Sequence, residues 1–128
     1  MSLSWLGLVV ILVDVPLQFY FRFLGRGVEN SGVSFGWLAG LNTWLVVLIY
    51  LIFILWAGRK LSQGKKQLAW SALALGGLGN LIPRLWLGGV WDYIYFAHGG
   101  FWFNLSDALI TVGVVLYMWS EIPRLRSE

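Results

Sequence analysis

The sequence has 128 residues, 59% of them hydrophobic and only 12% charged, with nine Trp and a net charge of +3; its mean hydropathy is +0.74. Soluble domains carry about 25% charged and about 45–50% apolar residues, so a soluble fold, a nucleic-acid binder and a disordered chain are all excluded. With no Cys and one His, the sequence predicts no disulfide, no thiolate or zinc site, no metal and no cofactor. It reads as one integral membrane domain over residues 1–128.

Crossing about 30 Å of hydrocarbon takes roughly 20 apolar residues, and four stretches approach that. The first, about 3–24, is interrupted by Asp14, Pro16 and Gln18. It lacks a basic leader and a small-residue cleavage site, so it is expected to be a retained helix rather than a signal peptide. A loop over about 25–37 follows, starting Gly25-Arg26-Gly27. The second span, about 38–56, has only Asn42 and Thr43 as polar residues, near one end. The third, about 67–82, is rich in small residues and is expected to stop at Pro83. The loop over 84–103 contains Val90–Phe96, whose aromatic and β-branched residues read as a strand. The fourth span covers about 105–119. Predicted, then, is an all-α membrane protein of four transmembrane helices, with a small β-sheet from the outer loops on the membrane surface. Arg59, Lys60, Lys65, Lys66, Arg124 and Arg126 outweigh Arg22, Arg26 and Arg84, which places both termini and the second loop in the cytoplasm.

In so apolar a chain the acids carry the information. Glu29, Glu121 and Glu128 read as solvated. Asp14 lies mid-span, where an acid costs at least about 2.5–3.5 kcal/mol. Either it clamps helices together beside Gln18, one turn on, or it functions chemically. Asn104-Leu-Ser-Asp107 has the form of a capping box, which by itself would account for Asp107. Asp92 alone is an ordinary loop acid. Taken together, Asp92 and Asp107 fall at the outer end of the bundle, about half a span above Asp14. Two converging carboxyls share a proton, and one can then act as base while the other donates. Gly76-Gly-Leu-Gly79-Asn80 and Gly36-x-x-x-Gly40 read as close-packing glycines. Arg84 is either an interfacial cation or a group holding the site.

In order along the chain, these pieces resemble the lipoprotein signal peptidases (signal peptidase II), aspartyl proteases of the bacterial inner membrane. Asp14 matches a first-helix Asp. Asn30-Ser-Gly32-Val-Ser-Phe35-Gly36 resembles Asn-x-Gly-x-x-Phe. Gly76-Gly77-Leu-Gly79-Asn80-Leu-Ile-Pro83-Arg84 resembles a Gly-Asn-x-x-Asp-Arg motif. Gly89-Val90-Trp91-Asp92-Tyr93-Ile94 and Phe103-Asn104-Leu105-Ser106-Asp107-Ala108-Leu-Ile110 resemble the two segments that bear the family's catalytic Asp pair. The resemblance implies Asp92 and Asp107 as catalytic residues, Asn30, Gly32, Asn80, Arg84 and Asn104 as substrate-binding ones, and Asp14 as a structural polar group. It also implies cleavage of diacylglyceryl-modified prolipoproteins before the lipidated Cys. The partners are then this substrate and membrane lipids, with no nucleic acid, for a monomer whose site faces outward. Three departures stand out: Pro83 for the motif's Asp, which leaves Arg84 without a carboxylate neighbour; Gln18 for a usual Lys; and Ser106 for Ala. Two other readings remain: a non-cleaving relative that binds lipidated peptides, and a four-helix proton-coupled multidrug transporter using Asp14.

Overall fold

The computed structural model describes residues 3–32, 40 and 42–128. Along the chain run α1 (Leu3–Phe23), β1 (Val28–Asn30), α2 (Thr43–Ser62), α3 (Gln67–Leu87), β2 (Val90–Asp92), β3 (Ile94–Phe96), β4 (Phe101–Phe103) and α4 (Leu105–Ser127). The segment Gly36–Ala39 and most of the Asn30–Gly36 motif lie outside the described residues.

Three of the helices, α1 (from Trp5), α2 and α4, are long and apolar enough to cross a membrane. The fourth, α3, is covered instead by α1, α2 and α4. Its residues Ala69, Leu73, Gly76, Asn80 and Arg84 recur at turn spacing and are all buried. Glycines set how closely α4 approaches it. A Cβ on Gly76 would lie 2.9 Å from the Ser106 carbonyl oxygen, and one on Gly79 would collide with the Ser106 side chain. The close-packing reading of these glycines is thus the structural one. Gly79→Ala is expected to cost about 1–3 kcal/mol by overpacking, measurable as a lowered midpoint of unfolding in detergent.

Polarity is inverted relative to a soluble protein. Asp14, Asn80, Asn104 and Ser106 are fully buried, whereas Leu12, Leu55 and Met118 are 65%, 65% and 63% exposed. Apolar side chains turned outward are favourable only where lipid replaces water.

The helix ends correct the sequence reading. α2 starts at Thr43 rather than near 38, because Asn42 caps it: the Asn42 side chain accepts the Trp44 N–H at 2.9 Å. The polar Asn-Thr pair near the end of the stretch is the helix start signal. α3 does not stop at Pro83 but continues to Leu87, ending on left-handed Gly88, whose N–H bonds to the Arg84 carbonyl at 3.1 Å. Pro83 forfeits one helical bond, and the last turn is held by Arg84, which donates to the carbonyls of Asn80 and Gly32. α4 likewise runs through Pro123 to Ser127. At the α2–α3 turn, Lys66 pairs with Glu121 of α4, so Glu121 is an interhelical partner rather than a solvated acid.

The loops after α1 and α3 do pair. β1 runs antiparallel to β2 with Val28 opposite Asp92 and Asn30 opposite Val90. The stretch read as one strand is broken at Tyr93. Beyond the break, β3 and β4 form a separate antiparallel ribbon with Tyr95 opposite Trp102. The single small sheet is therefore two short ribbons.

Candidate active site

Asp92 ends β2 and is 2% exposed; Asp107 lies in the first turn of α4 and is 1% exposed. Local chemistry fixes Asp107. Asn104 caps α4 by accepting the Asp107 N–H at 2.9 Å, and the Asp107 carboxylate accepts the Asn104 N–H at 3.3 Å. The expected capping box is present, and it does not exhaust what Asp107 does.

Two asparagines join the carboxyls. The Asn104 side-chain amide donates to Asp92 at 2.9 Å and to the Asn80 side-chain oxygen at 3.0 Å. Asn80 in turn donates to Asp107 at 2.9 Å. The Asn104 amide orientation follows from its oxygen, which must accept the backbone N–H of Asp107. Asn30 also donates to Asp92, and its side-chain oxygen accepts the Gly32 N–H at 2.9 Å. Arg84, 2% exposed, stacks over the Tyr50 ring with 4.4 Å to its centroid and bonds to the Gly32 carbonyl. It is therefore held in place without a carboxylate at position 83, contrary to the expectation from Pro83. All seven residues expected at an active site, Asn30, Gly32, Asn80, Arg84, Asp92, Asn104 and Asp107, thus belong to one contiguous polar cluster.

Burial dominates the electrostatics of Asp92. It raises the carboxyl from 3.8 to about 7, and the neighbouring Asp107 pushes the same way, against bonds from Asn30 and Asn104 and the charge of Arg84. The folded state therefore binds this proton more tightly than the unfolded chain. Its contribution to stability falls as pH rises between about 4 and about 7 and is level above that.

Asp14 is not half a span away. Because α4 begins deep in the bundle, Asp14 accepts the N–H groups of Leu105 at 3.1 Å and Ser106 at 3.3 Å, the Ser106 hydroxyl at 2.5 Å, the Tyr93 hydroxyl at 2.5 Å and the Gln18 amide at 2.8 Å. It ties α1 to the start of α4 and to the segment after β2. Tyr93 escaped the sequence reading, its only signal being its place next to Asp92. Ser106 stood out there only as a substitution for Ala, and its hydroxyl is what bonds to Asp14.

A family model described as signal peptidase (SPase) II matches residues 7–122. The lipoprotein signal peptidase of Sinorhizobium fredii is 37% identical over 73% of this chain and 61% of its own length. That of Allorhizobium ampelinum is 35% identical over 88% and 71%, and that of Pseudomonas fluorescens 33% over 91% and 84%. The chain thus spans from about three-fifths to about four-fifths of these relatives. A solved bacterial membrane enzyme superposes with a TM-score of 0.84 at 23% identity, over 98% of this chain and 90% of its own. A second does so with 0.70 at 22%, over 91% and 90%; both likenesses speak for the fold. Three helices long and apolar enough to cross a membrane, together with the match to this family, support a multi-pass bacterial membrane protein. The matched region takes in the whole polar cluster from Asp14 to Asp107, and the chain belongs to the signal peptidase II family.

Proposed function

We propose that the chain is an aspartic endopeptidase that removes signal peptides from diacylglyceryl-modified prolipoproteins, cutting before the lipidated Cys. The observation that carries this reading is the pair of buried carboxyls, on β2 and α4, bridged by Asn80 and Asn104. Family membership leaves the transporter reading without support.

In this mechanism Asp92 holds the proton, consistent with a value raised to about 7. Asp107, which accepts two N–H bonds at the positive end of α4, is the base. Water gives a proton to Asp107 as its oxygen bonds to the scissile carbonyl carbon, and Asp92 protonates the carbonyl oxygen. The C–N bond of the resulting gem-diol then breaks, the leaving nitrogen takes the proton from Asp107, and a diol hydroxyl returns one to Asp92. Asn30, Gly32, Asn80, Arg84 and Asn104 shape the peptide site, with much of their hydrogen bonding spent on holding the two carboxyls.

We read α3 as a fourth span. Its 21 residues reach about 31 Å at helical rise, and Trp86, near its outer end, is 78% exposed, where an interfacial aromatic belongs. The domain is then one four-helix unit over residues 1–128. The basic α2–α3 turn and both termini lie in the cytoplasm, and the ribbons lie at the outer surface.

The test is incubation of the purified protein with a diacylglyceryl-modified prolipoprotein and with its unlipidated counterpart. Cleavage of the first alone supports the reading. Binding without cleavage would favour the non-cleaving relative. In the same assay kcat/KM is expected to fall about tenfold per pH unit once pH rises above about 7, as the Asp92 proton is lost. A flat profile from pH 6 to 9 would contradict the assignment of that proton.

A further inference from the structure

Gln18 is 2% exposed and sits on α1, one turn after Asp14. Both ends of its amide are engaged. The nitrogen donates to Asp14 at 2.8 Å, and the oxygen accepts the backbone N–H of Trp91 at 3.2 Å. Only one orientation of the amide satisfies both, because the carboxylate cannot donate and the N–H cannot accept. Trp91 immediately precedes Asp92 in β2. The other carboxyl carrier hangs from the same place, since Asp14 holds the N–H groups of Leu105 and Ser106, the two residues before Asp107. Within the described residues, Gln18 and Asp14 are thus the shared anchor of β2 and the start of α4.

We propose that Gln18 is a positioning residue for Asp92. Its side-chain oxygen fixes the backbone just before that carboxyl, while its nitrogen locks the same amide to the node that sets Asp107. This rests on the peptidase reading above. It also gives position 18 a requirement that a cation cannot meet: an ammonium could donate to Asp14 but could not accept the Trp91 N–H. A buried N–H left without an acceptor pulls β2 toward another partner. The substituted side chain touches no substrate in this account, so the effect falls on kcat rather than KM.

Gln18→Lys keeps a donor for Asp14 and removes the acceptor; Gln18→Met, of similar length, removes both. Both are expected to lower kcat on lipidated prolipoprotein about tenfold per folded molecule, with KM within about twofold, the scale of one hydrogen bond. The alkaline limb of the pH profile should move as well, because the setting of Asp92 changes. The titratable groups around it are Asp107 on α4, Arg84 on α3 and the adjoining Tyr93, with Glu29 of β1 paired opposite Trp91 and, from α1, Arg22 over the Trp91 ring and Asp14 bonded to Tyr93. Gln18→Met alters none of these, whereas Gln18→Lys adds a charge of its own. Wild-type kcat and pH profile in Gln18→Lys would overturn the inference. Loss of folded protein alone, with normal kcat and pH profile in the remaining fraction, would reduce Gln18 to a structural role and overturn it too. Titration of Asp92 by carbon-13 carboxyl resonances in wild type and in Gln18→Met, which removes the acceptor without adding a charge, separates this from the peptidase reading. A protein that cleaves nothing yet shows a displaced Asp92 titration would fail that reading and keep the anchor, whereas identical titrations would reject the anchor.

Discussion

Asp92→Asn and Asp107→Asn are each expected to lower prolipoprotein cleavage by at least about a hundredfold, because each removes one of two groups that exchange protons with the substrate. The two variants should differ in stability. Asp92 enters the folded state carrying a desolvation penalty, which is complete above about pH 7. Asn at 92 cannot ionise and its amide oxygen can still accept from Asn104. Its unfolding midpoint should therefore match wild type near pH 4 and exceed it above pH 7, by several degrees if about 1 kcal/mol is relieved. Asp107 accepts N–H donors on both oxygens, from Asn80 and from the Asn104 backbone. An amide nitrogen there faces a donor, so Asp107→Asn is expected to be destabilised by about 1–3 kcal/mol. Thermal unfolding of both variants across pH, beside the cleavage assay, checks both halves. A stable Asp92→Asn protein that cleaves at near wild-type rate would remove Asp92 from the mechanism.

Asp14→Asn is expected to have the largest effect on the fold. The carboxylate accepts donors on both oxygens: Tyr93 and Leu105 on one, Gln18 and Ser106 on the other. Replacing either oxygen by an NH2 group sets a donor against at least two donors in a dry interior. At about 1–3 kcal/mol for each buried group left unsatisfied, the loss should reach about 2–4 kcal/mol and show as poor expression and a lower unfolding midpoint. Per folded molecule the loss of activity should stay near tenfold, larger than a remote polar clamp would give but smaller than in the two carboxyl variants. The contacts with Leu105 and Ser106, just before Asp107, set the lower bound. Equal loss of specific activity in all three variants at matched folding would contradict a purely positioning role for Asp14.

Much of this was legible in the sequence because membrane chemistry makes it so. A polar residue in an apolar stretch needs a reason, and Asp14, Asn80, Arg84, Asn104 and Asp107 each have a buried partner. Asn104-Leu-Ser-Asp107 declared its cap because capping is local, within four residues. Where the reading failed, the deciding contact was distant. Pro83 marks a helix stop by local rules, but Arg84 bonds to Gly32, a residue 52 positions away, and the helix continues. The sequence alone puts Asp14 half a span below the aspartate pair, because the depth at which α4 starts depends on tertiary packing. That packing is close at Gly76 and Gly79. Gln18 reads from the sequence as a neighbour of Asp14 and a substitution for Lys. Its second bond, to a backbone N–H 73 residues on, leaves no trace in residue type.

The central claim is that these two carboxyls cut a lipidated precursor at one bond. Its most direct test is intact-mass analysis of the products formed when purified protein meets a diacylglyceryl-modified prolipoprotein. The account predicts two products: the free signal peptide, and a mature chain beginning at the lipidated Cys. An unchanged precursor, or a cut at any other bond, would contradict it.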